Sequence, residues 1–431
     1  MERFTTYESA IRYLYGLQKY GIKFGLSKTE NLMAAMGNPH NGEVYIHIAG
    51  TNGKGSIAAF LSSILKEAGY RVGLYTSPHL VRFTERFRVN GKEISKKDVV
   101  DLVNIFREKI IEDEPPTFFE FTTAMALQYF AQQETDIAIM EVGMGGRLDA
   151  TNIIMPKITI ISNIAMEHQF FLGNTLLEIA REKAGIIKPG VPLITGARRR
   201  KVVELFRNTC ESKGAPMIRI GEQVRYRYGP SGLNYYGLWH KWKNLKIGLQ
   251  GRFQARNAAT ALAAAEQLSQ LGFPVADEAF NKGVREACWP GRMHIIGDGP
   301  RILLDGAHNP RAMQVLAHTV KTEMEYDRLI VVIGVMEDKD TRSILKQIVS
   351  LADHVIYTRP KYSRAAEPGV LYGYGKLEHN SGQIVARLDK AIEKAKAMAG
   401  PSDLILICGS LFTVGEALSY LDPVNFSPED D

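Results

Sequence analysis

Cysteine is scarce in this chain. The three present, Cys210, Cys288 and Cys408, are odd in number, far apart and without metal-ligand spacing. That excludes a disulfide framework and leaves reduced thiols of a cytoplasmic protein as the expectation. Long apolar runs are missing too. The longest, such as 158–161 and 404–408, are the size of a strand, whereas a membrane-spanning helix needs about 20 apolar residues. The opening residues MERFTTY carry no uninterrupted apolar stretch after their charge and do not read as a secretory signal. No tandem repeat or low-complexity segment is visible. The net charge is only +6. Its densest patch, Arg198, Arg199, Arg200 and Lys201, is flanked by valine and leucine rather than interleaved aromatics. It therefore reads as the solvated start of a helix, and no nucleic-acid partner is expected. The mild basic excess suits small anionic substrates.

What is present is the composition of a globular protein, 45% hydrophobic and 23% charged over 431 residues. That length exceeds what one hydrophobic core usually supports, so two domains are expected. Short β-rich runs alternate with helical patterns, which predicts α/β architecture with mostly parallel sheets. Strands are predicted at 44–49, 72–75, 137–142 and 158–163, and helices at 56–69, 175–184 and 256–271. Between 217 and 249 short alternating strands with glycine turns predict a small antiparallel patch. The helical run breaks at Trp289-Pro290-Gly291, and strands resume at 302–304, 329–333, 354–357 and 404–408. The expected division is 1–290, a P-loop-type ATPase domain, and 291–431, a smaller Rossmann-like domain. The acidic tail from Pro428 is expected to fray.

The segment GTNGKGS, residues 50–56, follows a strand and opens a helix. That order lets backbone N–H groups and a helix N-terminus surround phosphate oxygens, with Lys54 as a mobile cation. The spacing departs from the common G-x-x-x-x-G-K-[ST] loop, because Gly55 stands between Lys54 and Ser56. An ordinary βα turn would also use glycines, but three of them with a lysine and a serine favour phosphate. Glu141 ends an apolar strand before Gly143-Met-Gly-Gly146, where α/β sheets place ligand-binding groups; a carboxylate there could equally face water.

The blocks GTNGKGS, TSPHL (76–80) with RFTERF (82–87), EVGMGGRLDATN (141–152), EKAGIIK (182–188), QARNAA (254–259), PGR (290–292) and DGAHNP (305–310) occur in that order. Together they resemble the Mur ligase superfamily, and especially its folylpolyglutamate synthase and dihydrofolate synthase branch. The resemblance implies a cytoplasmic, monomeric ATP-dependent ligase that closes two domains over ATP and Mg²⁺, with two metal ions. It implies phosphate contacts from Gly50, Thr51, Asn52, Gly53, Lys54, Gly55 and Ser56, and a base contact from Asn257. It further implies a triphosphate contact from Arg292 and nucleotide contacts from Asp305, Gly306, Ala307 and His308. Metal ligands would be Ser77, Glu141 and His168. The family has Asp directly before this histidine; here Glu167 stands there, one methylene longer.

Catalytic roles would fall to Lys54, Lys183 and His308. By position alone Lys183 complements a helix dipole in a last turn; the resemblance implies a carbamylated lysine. Gly25 (with Lys23, Phe24 and Leu26), Phe119, Glu120, Phe121, Thr122, Leu148, Asp149 and Ala150 would lie near the pterin, although composition favours core packing for most aromatics of FFEFTT. The implied reaction joins L-glutamate to dihydropteroate or to tetrahydrofolate polyglutamates through an acyl phosphate. A cell-wall amino-acid ligase of the same superfamily is the rival enzyme, and a slow nucleotide-hydrolysing switch is the rival of another class.

Overall fold

Strand β1 (Tyr45–Ala49) is buried along its whole length, as a parallel strand covered on both faces must be. Its neighbours are β2 (Val72–Tyr75), β3 (Phe87–Val89), β4 (Lys92–Glu93), β5 (Ile137–Glu141), β6 (Pro156–Ile161), β7 (Leu193–Thr195) and β8 (Met217–Arg219). They form one sheet in the order β4-β3-β2-β5-β1-β6-β7-β8, parallel except for the β2–β3 and β3–β4 pairs. The computed structural model describes residues 2–21, 23, 25–110, 115–378 and 381–429. Phe24 therefore lies outside the described residues, as do the last two aspartates.

Register decides what the sheet presents. Ile48 pairs with Glu141 on one side and Ala49 with Ile161 on the other. Gly50, Val142 and Ser162 therefore leave three adjacent strands at the same edge, the carboxyl end where open α/β sheets bind ligands. The helix Lys54–Glu67 runs back from that edge and packs against the helices Gln254–Gln270 and Asp277–Glu286. The packing is close: a Cβ on Gly283 would come 2.4 Å from Ile64 Cα. An antiparallel sheet of β9 (Arg225–Gly229), β10 (Gly232–Tyr236) and β11 (Lys241–Leu245) covers part of this layer.

The carboxyl-terminal sheet comprises β12 (His294–Ile296), β13 (Arg301–Asp305), β14 (Leu329–Ile333), β15 (His354–Arg359), β16 (Gly382–Arg387) and β17 (Leu404–Cys408). Its order is β12-β13-β17-β14-β15-β16, with only the β12–β13 pair antiparallel. Apolar side chains pack on both faces of each large sheet.

The sequence expectations meet several corrections. The first helix of the loop begins at Lys54, not 56, because Gly53 takes the left-handed conformation (φ 87°) and ends the loop there. Met217 to Arg219 joins the main sheet beside β7 instead of the antiparallel patch. The edge pieces β3, β4, β12 and β16 are too short or too polar to stand out by periodicity. The described tail is not frayed at Glu429: its carboxylate accepts from Tyr7 Oη at 2.5 Å and Phe83 N at 2.8 Å.

Candidate active site at the domain junction

The glycine loop is held by the strand beside it. Asn163 Nδ2 and Ser162 Oγ each donate to Asn52 O at 2.7 Å, and Asn52 N donates to Asn163 Oδ1 at 3.1 Å. A Cβ at Gly50 (φ 142°) would sit 1.9 Å from Ser162 Oγ, so only glycine lets the two strand ends meet. At Gly53 a Cβ would come 2.7 Å from Asn257 Oδ1, and at Gly55 it would come 2.9 Å from Trp289 Nε1. The loop is thus pressed between β6 and the helix Gln254–Gln270. Gln254 donates to Ser56 Oγ at 3.3 Å and accepts from Asn257 at 2.7 Å. Gly53 offers no side-chain cap, so the first N–H groups of the helix have no capping partner and point into the loop.

Cations gather at this edge. Lys54 Nζ donates to Gly50 O at 3.2 Å and lies 3.9 Å from Glu141 Oε1. Lys183 Nζ donates to the same carbonyl at 3.0 Å. Although it ends a helix, as the dipole reading required, its amine is buried within the site instead of solvated. Burial, with the charge of Lys54 second, lowers its pKa to about 7. Arg292 reaches from the other domain: its guanidinium lies against Gly306, and its charge acts on both Glu141 and Asp305. Burial raises Glu141 above the ordinary carboxylate range, opposed chiefly by Lys54. Ser77 N donates to Glu141 Oε2 at 3.2 Å, so Ser77 and Glu141 are brought together.

A clasp closes the junction. His308 Nε2 lies 3.1 Å from Glu167 Oε1 and His308 Nδ1 2.8 Å from Gly306 O. Asn309 Nδ2 donates to Asn52 Oδ1 at 2.9 Å and to Glu167 Oε1 at 3.3 Å. Burial alone would raise Glu167, but the hydrogen bond and charge of His308 outweigh it and hold the carboxylate well below its usual range. Both ring nitrogens of His308 are engaged, Nδ1 within its own domain and Nε2 across the junction. His168, left-handed at φ 50°, caps a one-turn helix and lies 4.0 Å from Glu167. Burial lowers its pKa to about 4, which keeps the imidazole neutral and able to bind a cation. Asp305 accepts from Met293 N and Ala307 N, one on each oxygen, and so fixes the turn that carries Gly306, Ala307 and His308.

The aromatic wall sorts differently. Phe121 is fully buried, with ring centroids 5.8 Å from Phe106 and 6.0 Å from Tyr13. Glu120 caps its own helix through Thr117 N at 2.7 Å, Thr122 meets Tyr75 Oη at 3.0 Å, and Ala150 is buried. Asp149 accepts from Met144 N at 2.9 Å and Thr151 Oγ1 at 2.5 Å, and Thr151 in turn meets buried His47 at 2.8 Å. Of the residues expected near the pterin, among the described residues Lys23, Gly25, Leu26, Phe119 and Leu148 keep accessible surface. Phe119 lies on Gly143, where a Cβ would collide with the ring at 2.4 Å. Nearby, Arg86 donates to His79 Nδ1 at 2.9 Å and stacks over Phe118 at 5.1 Å.

Models of the Mur ligase middle domain and of the Mur ligase glutamate ligase domain match residues 48–265 and 291–411. A dihydrofolate synthase/folylpolyglutamate synthase of Bacillus subtilis is 35% identical over 425 residues, covering 96% of this chain and 98% of that protein. The chain belongs to that family. It is an ATP-dependent amide ligase acting on folate-type substrates. Among solved structures, E. coli FolC in complex with DHPP and ADP superposes with a TM-score of 0.90 at 33% identity, covering 99% of this chain and 100% of that one. The Yersinia pestis bifunctional enzyme complexed with AMPPNP and Mn ion gives 0.87 at 30% identity, covering 98% and 99%. The alternation of a large parallel sheet and a separate smaller one is thus the ligase architecture expected.

Ser162, Asn163, Gln254 and Asn309 were not singled out from sequence, and Glu167 only as a departure from the family pattern. The signal that could have found them is positional: each follows the carboxyl end of a strand or opens a helix facing the loop.

Proposed function

We propose that this ligase binds ATP on residues 50–56, moves the γ-phosphoryl group to the terminal carboxylate of dihydropteroate or a tetrahydrofolate, and then admits L-glutamate. In the first step a carboxylate oxygen attacks γ-phosphorus and ADP leaves. In the second the glutamate nitrogen attacks the acyl carbon, phosphate leaves and the amine loses a proton. The observation that carries this reading is the convergence of Lys54, Lys183 and Arg292 on a loop with uncapped N–H groups. Such a site stabilises the charge of a phosphoryl group in transfer. The His308–Glu167 clasp positions the two domains for it.

Ser77 and Glu141 are assigned to one Mg²⁺, and His168, beside Lys183, to a second. Among the described residues no three His, Cys, Asp or Glu side chains form a cage for a metal. That suits Mg²⁺, which keeps several waters and takes few protein ligands alongside phosphate oxygens. The ion supplies neutralisation of the phosphoryl oxygens. Lys183 is assigned as the carbamate-bearing lysine, since its buried amine with a pKa of about 7 is half neutral near pH 7.

We place the domain boundary at 290/291, next to the hinge residue Arg292. Gly25, Phe119 and Leu148 are assigned to the pterin. Three free thiols support a reducing compartment, the cytoplasm, and both halves of the site come from one chain, so a monomer suffices. The test is ADP release with each pterin, with and without glutamate. Release that requires both a pterin and glutamate is expected; release indifferent to glutamate would sink the proposal.

A further inference from the structure

From residue 223 to 265 the chain has no aspartate or glutamate, and the β9–β11 sheet occupies most of the first half of this stretch. Alternation along its strands sends one set of side chains inward and the other to solvent. Tyr235 and Trp242 stack at 5.5 Å on the inner face. On the outer face Arg225 pairs with Tyr236, and Tyr236 with Lys241, across three strands. Arg227 and Lys243 continue the two cationic edges, and all five of these side chains are exposed. Trp239, in the β10–β11 turn, is 48% exposed.

The basic run at 198–201, flanked in sequence only by aliphatics, approaches the edge strand β9 from the opposite side of this sheet. The charge of Arg198 acts on Tyr226 of β9, which pairs with Tyr235 on the inner face and accepts from Arg256 Nε at 3.3 Å, and Arg198, Arg199, Arg200 and Lys201 are all exposed. The nearby acids are engaged elsewhere. Glu222 pairs with Arg219 and Arg207, and buried Glu266 with His240, whose other ring nitrogen lies 3.6 Å from exposed Asp277; Glu204, a turn further along the basic helix, is the exposed acid closest in sequence. The aromatic turn is also rigid. Glu266 accepts from Leu238 N at 3.1 Å, His240 N at 2.8 Å and Tyr235 Oη at 2.8 Å, so the backbone on both sides of Trp239 is tethered to the helix beneath.

We propose that this face binds a single-stranded polynucleotide. Cations on both sides of an exposed tyrosine and tryptophan match a chain that alternates phosphates with flat bases, and stacking on a fixed sheet suits unpaired bases more than a duplex. A lipid surface would call for an apolar tip free to insert, which the Glu266 tether denies. The linear sequence gave no hint because the cations of the outer face lie on different strands, β9 and β11, on either side of Tyr236.

The test uses the full chain and labelled RNA and DNA single strands of about 20 nucleotides, a size that spans one or two small binding sites. Anisotropy should show binding that weakens with salt, with a log–log slope of roughly −3 if four cations each neutralise one phosphate. The combined substitution Arg225→Glu, Arg227→Glu, Lys241→Glu, Lys243→Glu should abolish binding while leaving glutamate-dependent ADP release intact. Tyr236→Ala with Trp239→Ala should weaken single-strand binding about tenfold or more, the loss expected for a stacked base. Three results would overturn the proposal: no binding at low salt, equal affinity for duplex and single strand, or binding to anionic phospholipid vesicles but not to strands. Unchanged affinity in both variants would overturn it as well.

Discussion

The loop edge and the aromatic wall leave the same sheet yet are built on opposite principles. At the loop edge the cations are under-satisfied: Lys54 and Lys183 share a single backbone carbonyl, and buried Glu141 has one backbone donor and a lysine at 3.9 Å. At the wall, buried polar groups satisfy one another, as in the chain from Asp149 through Thr151 to His47. The first arrangement leaves charge available for a ligand; the second fixes a shape. Residues of the first should therefore control rate, and residues of the second stability.

Phe121→Ala is the largest expected break. It empties a fully buried aromatic site and should cost about 3–5 kcal/mol of stability. The protein that remains folded should keep its KM for pterin, as thermal melts and steady-state kinetics at low temperature will show. A large rise in KM without loss of stability would move Phe121 from wall to substrate.

Lys54→Ala is the mirror image. It should leave the melting temperature within the scatter of surface substitutions and lower kcat by about 100-fold or more, roughly 3 kcal/mol of transition-state stabilisation. Near-normal turnover in that folded variant would remove the phosphate role from the loop. Glu141→Gln tests the same edge more gently. It keeps shape and removes charge, so the Mg²⁺ midpoint should rise about tenfold, within the range for disturbed metal sites; an unchanged Mg²⁺ titration would show that Glu141 binds no metal.

These expectations show which parts of the molecule were legible in the sequence. The loop edge was, because glycines, a lysine and a strand-end carboxylate have few other uses in that order. The core strands were, because buried parallel strands read as unbroken apolar runs. The clasp was not, since Glu167 and His308 lie in different domains and only tertiary structure brings them to 3.1 Å. Nor could FFEFTT be divided: helical geometry sends Phe121 into the core and leaves Phe119 on Gly143, a distinction that needs the packing partners and not the spacing alone. Lys183 misled in the other direction, for its position at a helix end explains a surface lysine, whereas its amine is buried.

That burial gives the smallest and sharpest test. The ordinary lysine pKa of 10.5 falls to about 7 in the folded chain. The unfolded chain then holds the proton over a range where the folded chain has lost it, so this lysine makes stability rise with pH between about 7 and 10.5. Lys183→Met should flatten that part of the profile. The chemistry follows the same titration. A carbamate forms from neutral amine and CO₂, so enzyme stripped of bicarbonate should regain activity faster as the amine deprotonates. At fixed dissolved CO₂ the neutral fraction of a group with a pKa near 7 rises about fivefold from pH 6 to pH 7 and saturates by about pH 8, and the initial rate of reactivation should follow. A reactivation rate flat across this range, or full activity in a Lys183→Arg variant that keeps the charge but cannot carry a carbamate, would leave Lys183 as a fixed cation beside Gly50. Partial rescue of Lys183→Ala by acetate would point the other way, because acetate returns carboxylate oxygens to the site without restoring the amine.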